Sequence, residues 1–588
     1  MTVRRRRVLA AFGAVAVLGG VAFAAPTSAG KPGKTTDIQI LAFNDFHGNL
    51  EPPAGSSGTV QTGVGSDGKP VTVPAGGVEY LATHLENARQ GHENTVTVAA
   101  GDIIGASPLL SAAFHDEPTI DAMEKLGLDM TAVGNHEFDE GIDELRRIQF
   151  GGCHEKDGCA DPANPYDGAD FPLLGANVVD KDTGLPALAP VWVKNFDGAR
   201  VGFIGMTLEG TPNIVAKEGI KNLAFKDEVE TANLYAGLLR LMGVKSIVVL
   251  LHEGGLPASN TYNYDCDSPG PGDGVSGPIT DIAKNLDSSI DLVVTGHTHQ
   301  SYVCNIPDPS GNPRMVTSSS SFGRLFTEIN VTYDYKTRDI LRTSVAASNH
   351  IVSRDVTKDA DQTALITKYK ELVDPIANRQ IGYISGDMPG RGSTKPESPL
   401  GDLIADSQLA ATSAADKGGA VIALMNPGGV RSDLVYKAAG AEGDGVVTYG
   451  EAFTVQPFNN NLTTISLTGA QIVTVLQQQY SGPNQASPKV LQPSEGFTYT
   501  VDNSKTGADK IVTDSVKLNG TALDPAASYR VTVNIFLADG GDGFAELAKG
   551  TDRLVGGLDI DALEAWFAAN TSASDPAAPF PADRITFI

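Results

Sequence analysis

Side chains that bind metal ions follow five short apolar runs of the chain, at the point where each run ends. The runs stop at "NDFHG", "GD", "GNHEFD", "HEGG" and "GHTH". Their imidazole nitrogens and carboxylate or amide oxygens, with no thiolate among them, suit Mn²⁺, Zn²⁺, Fe²⁺ or Co²⁺. Layered α/β proteins bind ligands at the carboxyl ends of their strands, so we expect these residues to form one site. The candidate ligands are Asp45, His47, Asp102, Asn135, His252, His297 and His299.

Seven candidate ligands are more than one ion needs, because a single metal usually takes three or four protein ligands. The set therefore predicts two metals, with Asp102 as the bridge because one carboxylate can bind both. Two ions ~3.5–4 Å apart clamp a phosphate ester and activate a water for in-line attack. Taken singly, "DFH" could be a surface pair and "GHTH" a turn capped by its threonine. Their occurrence together, each after an apolar run, favours metal chemistry.

The elements that must position these residues are those of an α/β chain. From about residue 36 to 350, short β-rich runs alternate with helical patterns, which predicts a layered α/β domain. Within it, residues 51 to 76 are rich in Gly, Ser and Pro and predict a loop or insertion. A second α/β domain is predicted from 380 to 588.

A linker helix is predicted between the two domains, within residues 355 to 378. Apolar residues recur there at helical spacing, and Pro375 is expected to end the helix. The predicted apolar face carries Leu365, Ile366, Tyr369, Leu372 and Val373.

The five motifs resemble those of the calcineurin-like metallophosphoesterases, and the second half of the chain narrows the resemblance to the secreted 5′-nucleotidase and UDP-sugar hydrolase family. The resemblance implies a four-layer α/β/β/α sandwich, a linker helix and a substrate-binding C-terminal α/β domain. It also implies two divalent ions, with Zn, Mn or Co expected. One ion would be held by Asp45, His47, Asp102 and His299, and the other by Asp102, Asn135, His252 and His297.

His136 and Asp139 are not ligands in the pattern that the resemblance implies. His136 would face the scissile phosphate, where it would stabilise charge or protonate the leaving oxygen. Asp139 would hold its ring, because a carboxylate that accepts from one ring nitrogen fixes the tautomer and favours imidazolium. The alternative is that Asp139 is an acidic residue at a helix N-terminus.

Three stretches of the second half, "NPGGVR", "QPFNNN" and "NIFLADGGDGF", predict the substrate pocket. By the resemblance, Phe458 and Phe536 would sandwich a nucleobase, and such a slot accepts several bases because every base has a π-face. On the residues alone, both phenylalanines could be ordinary core residues. Further contacts are implied for Asn426 and Asn460 with the base edge or pocket, for Asp542 with the ribose hydroxyls, and for Arg431 with the phosphate or ribose side.

One part of the family pattern has no clean counterpart. The family often carries an arginine shortly before its E-S-x-L-G stretch, and here "RGSTKPESPLG" offers Arg391 and Lys395. Neither aligns with that arginine, so the sequence does not identify which basic residue of this stretch contacts phosphate.

The expected function is that of an exported phosphohydrolase that removes the 5′-phosphate from nucleotides by attack of a metal-activated water. Alternatives on the same fold are a 2′,3′-cyclic-nucleotide phosphodiesterase with 3′-nucleotidase activity and a UDP-sugar pyrophosphatase. A relative that hydrolyses sulfur-linked groups would not need the base sandwich. The non-enzyme alternative is a nucleoside-binding protein with an inactive metal site, against which the complete ligand set argues.

Composition bears on the partners and the location of the chain. A formal charge of −26 over 588 residues disfavours nucleic-acid polymers and anionic membranes as partners. No later stretch has ~18 uninterrupted apolar residues, so no membrane span is expected. The basic start "MTVRRRR", the apolar run after it and "AFAAPTSAG" predict a signal peptide over residues 1–29. We therefore expect secretion or a cell-envelope location, with twin-arginine export as one route.

Four cysteines in an exported chain predict two disulfides. The favoured pairing joins Cys153 to Cys159 and Cys266 to Cys304, because "CHEKDGC" is a short loop. A Cys/His metal knot that uses His154 is the alternative, although its spacing fits no common zinc pattern.

Overall fold

The computed structural model describes residues 34 to 588, apart from positions 67, 161, 216, 217, 391, 392 and 441. The predicted signal peptide and Arg391 therefore lie outside the described residues. Within them, no helix combines the length and the apolar character that crossing a bilayer requires.

Two mixed β-sheets form the centre of the first domain. In both sheets, the strands that run into the metal-binding motifs are parallel, so their carboxyl ends lie at one edge. The order of the first sheet is Asp339–Ile340, Leu325–Asp334, Thr35–Phe43, Thr95–Ala100, Met130–Ala132 and Leu173–Leu174, with Ala346–Ile351 paired to Leu325–Asp334. The order of the second is Ser301–Asn305, Met315–Ser319, Leu292–Thr295, Ser246–His252, Ala199–Thr207 and Val191–Phe196.

The two sheets pack face to face, and helices cover their outer faces. Ile40 and Val98 of the first sheet share a buried core with Val248 of the second. Leu41, the neighbour of Ile40, lies instead in the core formed with the helices, because successive strand side chains point to opposite faces. The predicted α/β/β/α order is thereby confirmed. The helices over the first sheet are Val78–Arg89, Leu109–Ala112, Glu117–Leu126 and Ile142–Phe150, and those over the second are Glu228–Leu241 and Pro278–Asn285.

The segment from 51 to 76, which the sequence predicted to be a loop or insertion, contains a β-hairpin. Its strands, Thr59–Val64 and Pro70–Pro74, pair antiparallel, and Val60 is buried against Leu325. The sequence did not indicate these two strands because the glycines and prolines around them mask a short alternating run. Two further strand pairs are Val178–Asp180 with Leu223–Phe225, and Leu256–Pro257 with Val275–Ser276.

A helix at Ala360–Ala377 connects the two halves of the chain. Two details of the predicted helix were wrong: Leu372 is half exposed at the edge of the apolar stripe, and Pro375 lies inside the last turn. The Tyr369 hydroxyl donates to the Asp121 carboxylate at 3.1 Å, which fixes the helix to the first domain. The other buried apolar residues are Leu365, Ile366 and Val373, as predicted.

The second half of the chain is a further α/β domain, as predicted. Its main sheet runs in the order Gln492–Pro493, Ile422–Met425, Ser528–Asn534, Asn461–Thr468 and Thr551–Leu558. A smaller sheet runs Thr521–Ala522, Ile511–Leu518, Phe497–Val501 and Ile585–Phe587, and Gln380–Tyr383 pairs with Val446–Thr448. The helices are Pro399–Thr412, Tyr449–Val455, Gly469–Gln478, Ile535–Ala538 and Asp559–Asn570.

Both favoured disulfides are present. Cys153 is bonded to Cys159, and Cys266 is bonded to Cys304. No cysteine of the described residues is free, so the structure contains no Cys/His metal knot there.

Candidate active site

All seven predicted metal ligands converge where the two sheets meet. In one cluster, His299 Nε2 lies 3.2 Å from Asp45 Oδ1 and 3.2 Å from His47 Nε2. His47 Nε2 also lies 3.6 Å from Asp102 Oδ2. The four residues that the resemblance assigns to one metal are therefore neighbours in the fold.

The second cluster lies on the other side of Asp102. His252 Nε2 is 2.9 Å from Asp102 Oδ2, and its ring meets that of His297 edge-on with 5.3 Å between centroids. His297 Nδ1 lies 3.1 Å from Asn135 Oδ1. Asp102 thus stands between the clusters, where a bridging carboxylate is required.

Two of the imidazoles are oriented by backbone carbonyls. His47 Nδ1 donates to the Gly105 carbonyl and His252 Nδ1 to the Ala100 carbonyl, each at 2.8 Å. Because a carbonyl can only accept, these bonds fix a proton on Nδ1 and turn Nε2 of each ring into the site.

One buried nitrogen of the site fits a cation. His252 Nε2 is buried and, although close to Asp102 Oδ2, lies off the direction that a hydrogen bond requires. A buried nitrogen without a hydrogen-bond partner destabilises a protein, and a divalent ion next to His252 Nε2 and the Asp102 carboxylate would satisfy both.

Burial sets the protonation of several ligands. It lowers the pKa of His47 well below its ordinary value, and together with the charge of His252 it lowers the pKa of His297 to about 4. Both rings are therefore neutral and able to donate lone pairs. Burial alone would raise the pKa of Asp102, but His252 and His136 outweigh it and hold that pKa well below its usual range. The Asp102 carboxylate is therefore anionic.

Five of the ligands have left-handed backbone conformations. Their φ angles lie between 49° and 72°, at Asp45, His47, Asp102, His297 and His299. Non-glycine residues rarely adopt this region, and residues held there cluster at functional sites. The tight turn after each strand directs its ligand into the space between the sheets.

His136 and Asp139 form the predicted dyad beside the ligands. His136 Nδ1 lies 2.7 Å from Asp139 Oδ2, and the His136 backbone N–H donates to Asp102 Oδ1 at 2.9 Å. Burial would lower the pKa of His136, but the Asp139 and Asp102 carboxylates outweigh it and raise that pKa above its ordinary value. The following helix, Ile142–Phe150, begins after Asp139 and carries its own acidic residues, Asp143 and Glu144, in its first turn.

Residues of the second domain cover this dyad. The Phe458 ring stacks on the His136 ring, with centroids 5.7 Å apart and 23° between planes. The Arg431 guanidinium carbon lies 5.8 Å from the centre of the Phe458 ring. Arg431 Nη2 is buried without a hydrogen-bond partner, and the nearest charges include Asp102 and Asp139. An unpaired guanidinium nitrogen next to the metal ligands is suited to an anionic group of a substrate.

Asp542 is held in a polar network of the second domain. Its Oδ2 accepts from Asn426 Nδ2 at 2.7 Å, and its Oδ1 lies 2.5 Å from Lys489 Nζ. Asn426 Oδ1 in turn accepts from Asn534 Nδ2 at 2.9 Å. Sequence reasoning missed Lys489 because a single lysine in "ASPKVL" carries no spacing signal.

Three other predicted residues lie outside this network. Phe536 is half buried and packs closely on Gly541, where an added Cβ would lie 2.4 Å from its ring. Asn460 pairs with Asp559 through both its side chain and its backbone carbonyl. Lys395 Nζ donates to the Ala582 carbonyl at 3.2 Å, against the C-terminal segment. The base-edge role of Asn460 and the stacking role of Phe536 remain predictions.

Comparison with known proteins identifies the family. Residues 38–301 match the calcineurin-like phosphoesterase family, and residues 380–549 match the 5′-nucleotidase C-terminal domain. The chain belongs to the 5′-nucleotidase family of metallophosphoesterases. Members of this hydrolase family use a dinuclear site of divalent metals, which agrees with the ligand clusters described above.

The related proteins differ in length and in name. A cell wall protein of Listeria monocytogenes is 36% identical over 560 residues, covering 91% of this chain and 67% of the relative. An endonuclease of Bacillus subtilis is 34% identical over 514 residues, covering 86% of this chain but only 37% of that protein. A snake venom 5′-nucleotidase of Gloydius brevicauda is 25% identical, with 89% of this chain and 85% of the relative covered.

Solved structures show the same fold. A 5′-nucleotidase precursor from Thermus thermophilus superimposes with a TM-score of 0.73 at 24% identity, covering 94% of this chain and 99% of the other. A sulfate thiohydrolase from the same organism superimposes with a TM-score of 0.66 at 14% identity, covering 94% and 96%. At these identities the likeness concerns the fold and leaves the substrate open.

Glu137 is a residue of this family site that sequence reasoning did not single out. Its buried carboxylate accepts from the backbone N–H of Asp102 at 2.9 Å, of Ile103 at 2.8 Å and of Gly134. Burial, with the nearby Asp102 charge, raises the pKa of Glu137 to about 7. Glu137 therefore ties the strand end that carries Asp102 to the turn that carries Asn135. The sequence feature that could have identified Glu137 is the glutamate of "GNHE".

We predict that Glu137→Gln weakens metal binding without removing a ligand. The amide group of glutamine would place donors against backbone N–H groups, so the Asp102 turn would shift. Changes to groups that orient metal ligands typically cost 10–100-fold in affinity. Zn²⁺ titration of the metal-stripped protein, followed by elemental analysis, measures this loss.

A matched control is Glu228→Gln, another buried glutamate that accepts a backbone N–H, from Glu209, and that has no hydrogen bond with any of the seven ligands. It should bind Zn²⁺ as the wild type does. Equal affinities in the Glu137→Gln and Glu228→Gln proteins would contradict the positioning role of Glu137.

Proposed function

We propose that this protein removes the 5′-phosphate from nucleotides. The observation that supports this most is the meeting of the two domains at the dyad, where Phe458 lies on His136 and Arg431 Nη2 lacks a partner. A phosphate held at the metal ligands would lie next to Arg431, and the nucleoside would extend from it into the second domain. A phosphatase without nucleotide specificity would need no such second-domain surface.

The ligand set supports a hydrolytic reaction. Two divalent ions held by the seven ligands would supply Lewis acidity and lower the pKa of the attacking water. Arg431 would bind a non-bridging phosphate oxygen, because its planar guanidinium matches phosphate geometry. His136, with Asp139 accepting from Nδ1, would present its Nε2 proton to the leaving 5′ oxygen.

Recognition of the nucleoside is assigned to the second domain. Asp542 retains acceptor capacity for ribose hydroxyls, since a carboxylate offers about four lone-pair sites and its side-chain donors here are Asn426 and Lys489. In the proposed complex the base would lie between Phe458 and Phe536. Asn426 would act by holding Asp542.

Export to the cell envelope or the medium is part of the proposal. A Listeria relative is named a cell wall protein, and two disulfides are typical of chains that mature outside the reducing cytosol. The sequence features of residues 1–29 support the same location.

The nucleotidase is tested with a panel of substrates. We expect turnover of AMP and UMP in the presence of Mn²⁺, Zn²⁺ or Co²⁺, and loss of that turnover after chelation. ADP, UDP-glucose and 2′,3′-cyclic AMP are the competing substrates. Faster hydrolysis of the cyclic nucleotide or of UDP-glucose would replace the proposal by one of those activities, and binding without any turnover would support the nucleoside-binding alternative.

The role of His136 is separable from that of the ligands. His136→Ala should retain both metals and lose turnover by roughly 10²–10⁴, the range for a general acid or charge stabiliser. Asp102→Ala should lose metal and activity together, because the bridging carboxylate is gone. Elemental analysis and kinetics of both purified variants make the comparison, and a His136→Ala protein without metal would show that His136 is a ligand.

The contribution of the second domain is tested at Phe536. Base–aromatic stacking contributes about 1–3 kcal/mol per base, so Phe536→Ala should reduce kcat/KM for AMP by roughly 5- to 150-fold. Hydrolysis of a small aryl phosphate should fall much less, because it has no base to stack. Phe150→Ala, which removes an exposed phenylalanine of the first domain, is the matched control and should leave both substrates unaffected.

The same variant also tests the alternative that Phe536 is a core residue. In that case both substrates would lose activity equally, and the melting temperature would fall with them. Adding Phe458→Ala should widen the difference between AMP and the aryl phosphate if the two rings form one slot.

A further inference from the structure

An apolar stripe runs along the outer face of the helix Glu228–Leu241 in the first domain. Leu234, Leu238, Leu241 and, one residue past the helix, Met242 are exposed by 60%, 44%, 86% and 62%. Single exposed leucines are ordinary on protein surfaces, but leucines at helical spacing are neighbours and form one continuous patch. Such patches on soluble proteins mark interaction surfaces.

The stripe is not needed to hold this helix on its own domain. The opposite face of the helix already packs on the second sheet, where Ala232, Ala236 and Leu239 are buried in a core that also contains Val249. A surface helix is expected to be polar on the side that faces water, and a helix that is apolar on both sides is usually covered on both. The outer stripe therefore indicates a contact with another molecule.

Charges of opposite sign lie at the two ends of the stripe. Glu230 is exposed in the first turn of the helix, whereas Arg240 lies in its last turn and Lys245 follows it. Among the residues that the structure describes, neither Glu230 nor Lys245 has an ion-pair partner, and Arg240 Nη1 reaches Asp287 Oδ1 only at 4.0 Å. The stripe is thus acidic at one end and basic at the other.

This pattern is complementary to itself when two copies of the helix lie antiparallel. A twofold axis between Gly237 and Leu238 pairs residues that are equally far from it along the chain, so Leu234 would face the partner's Leu241. Gly237 would face the partner's Leu238. No atom lies within 4 Å of the position that a Cβ of Gly237 would take, so the glycine leaves a hole for that leucine.

We propose that two copies of this protein form a dimer through the helix Glu228–Leu241, packed antiparallel about this twofold axis. Glu230 of each copy would then face the basic end of the other copy, at the partner's Lys245. Because the axis repeats every contact, both ends of the stripe would be paired. Charge complementarity favours a second copy as the occupant, since one chain carries both halves of the ion pair. The dimer does not depend on which substrate the protein hydrolyses.

The dimer would leave both active sites open. The helix covers the outer face of the second sheet, whereas the metal ligands lie between the two sheets. The strand Ser246–His252 runs from the basic end of the stripe to the ligand His252. A strand of that length spans about 20 Å, so the basic end lies at the far edge of the sheet from the ligands. Association should therefore leave turnover by each copy unchanged.

Sedimentation velocity over a concentration series tests the dimer. The wild-type protein should approach twice the monomer mass as its concentration rises. Leu238→Glu places an unpaired charge beside the axis in both copies and should raise the Kd for dimerisation by roughly 100-fold or more. Leu554→Glu is the matched control, because Leu554 is exposed to a similar degree, 42%, on the second domain. The control should form dimers as the wild type does.

Charge reversal identifies the surface that each copy contacts. Glu230→Lys and Lys245→Glu each place like charges opposite one another and should weaken the dimer by roughly 5- to 30-fold. The double variant Glu230→Lys/Lys245→Glu reverses both ends together and should restore wild-type association. Melting temperatures at a concentration where every protein is monomeric show that the variants fold. A monomeric wild type, a dimer lost in Leu554→Glu but not in Leu238→Glu, or a double variant as weak as the single ones would overturn the proposal.

Discussion

The Asp102 carboxylate is the constraint on which the rest of the active site depends. One oxygen faces His252 at 2.9 Å and the other accepts the backbone N–H of His136 at 2.9 Å. Its own backbone N–H is held by Glu137, and its φ of 51° requires the turn that follows the strand Thr95–Ala100. A single residue therefore sets the separation of the two ligand clusters and the position of the dyad.

This arrangement concentrates charge where the protein is least able to solvate it. Asp45, His47 and His252 have no exposed surface, and Asp102 has almost none. Burial raises the pKa of Asp45 above its ordinary value. His252 acts against this effect, and the charge of Asp102 adds to it. Buried carboxylates this close destabilise the fold unless cations compensate them. Metal binding is thus both the source of the chemistry and the condition under which the ligand geometry is stable.

The sequence predicted the ligand set because parallel strands bring their carboxyl ends together, so residues far apart in the chain need only share a position relative to a strand. His297 and Asn135 meet in this way across the two sheets. The same reasoning did not single out Glu137 or Lys489. Glu137 contacts backbone N–H groups and Lys489 contacts one carboxylate, and neither kind of contact follows a spacing rule. The pocket role predicted for Asn460 stays a prediction, and the structure adds its pairing with Asp559, which no spacing signal indicated.

In the proposed function, specificity and chemistry are divided between elements that only the tertiary structure relates. The ligands lie on the ends of rigid strands, and their positions change little as long as the two sheets stay packed. Phe458 and Arg431 lie on loops of the second domain, and they reach the dyad because the helix Ala360–Ala377 fixes that domain beside the first. Loops of this kind vary without disturbing the metal centre. Relatives with names as different as cell wall protein, endonuclease and 5′-nucleotidase are therefore compatible with one dimetal core.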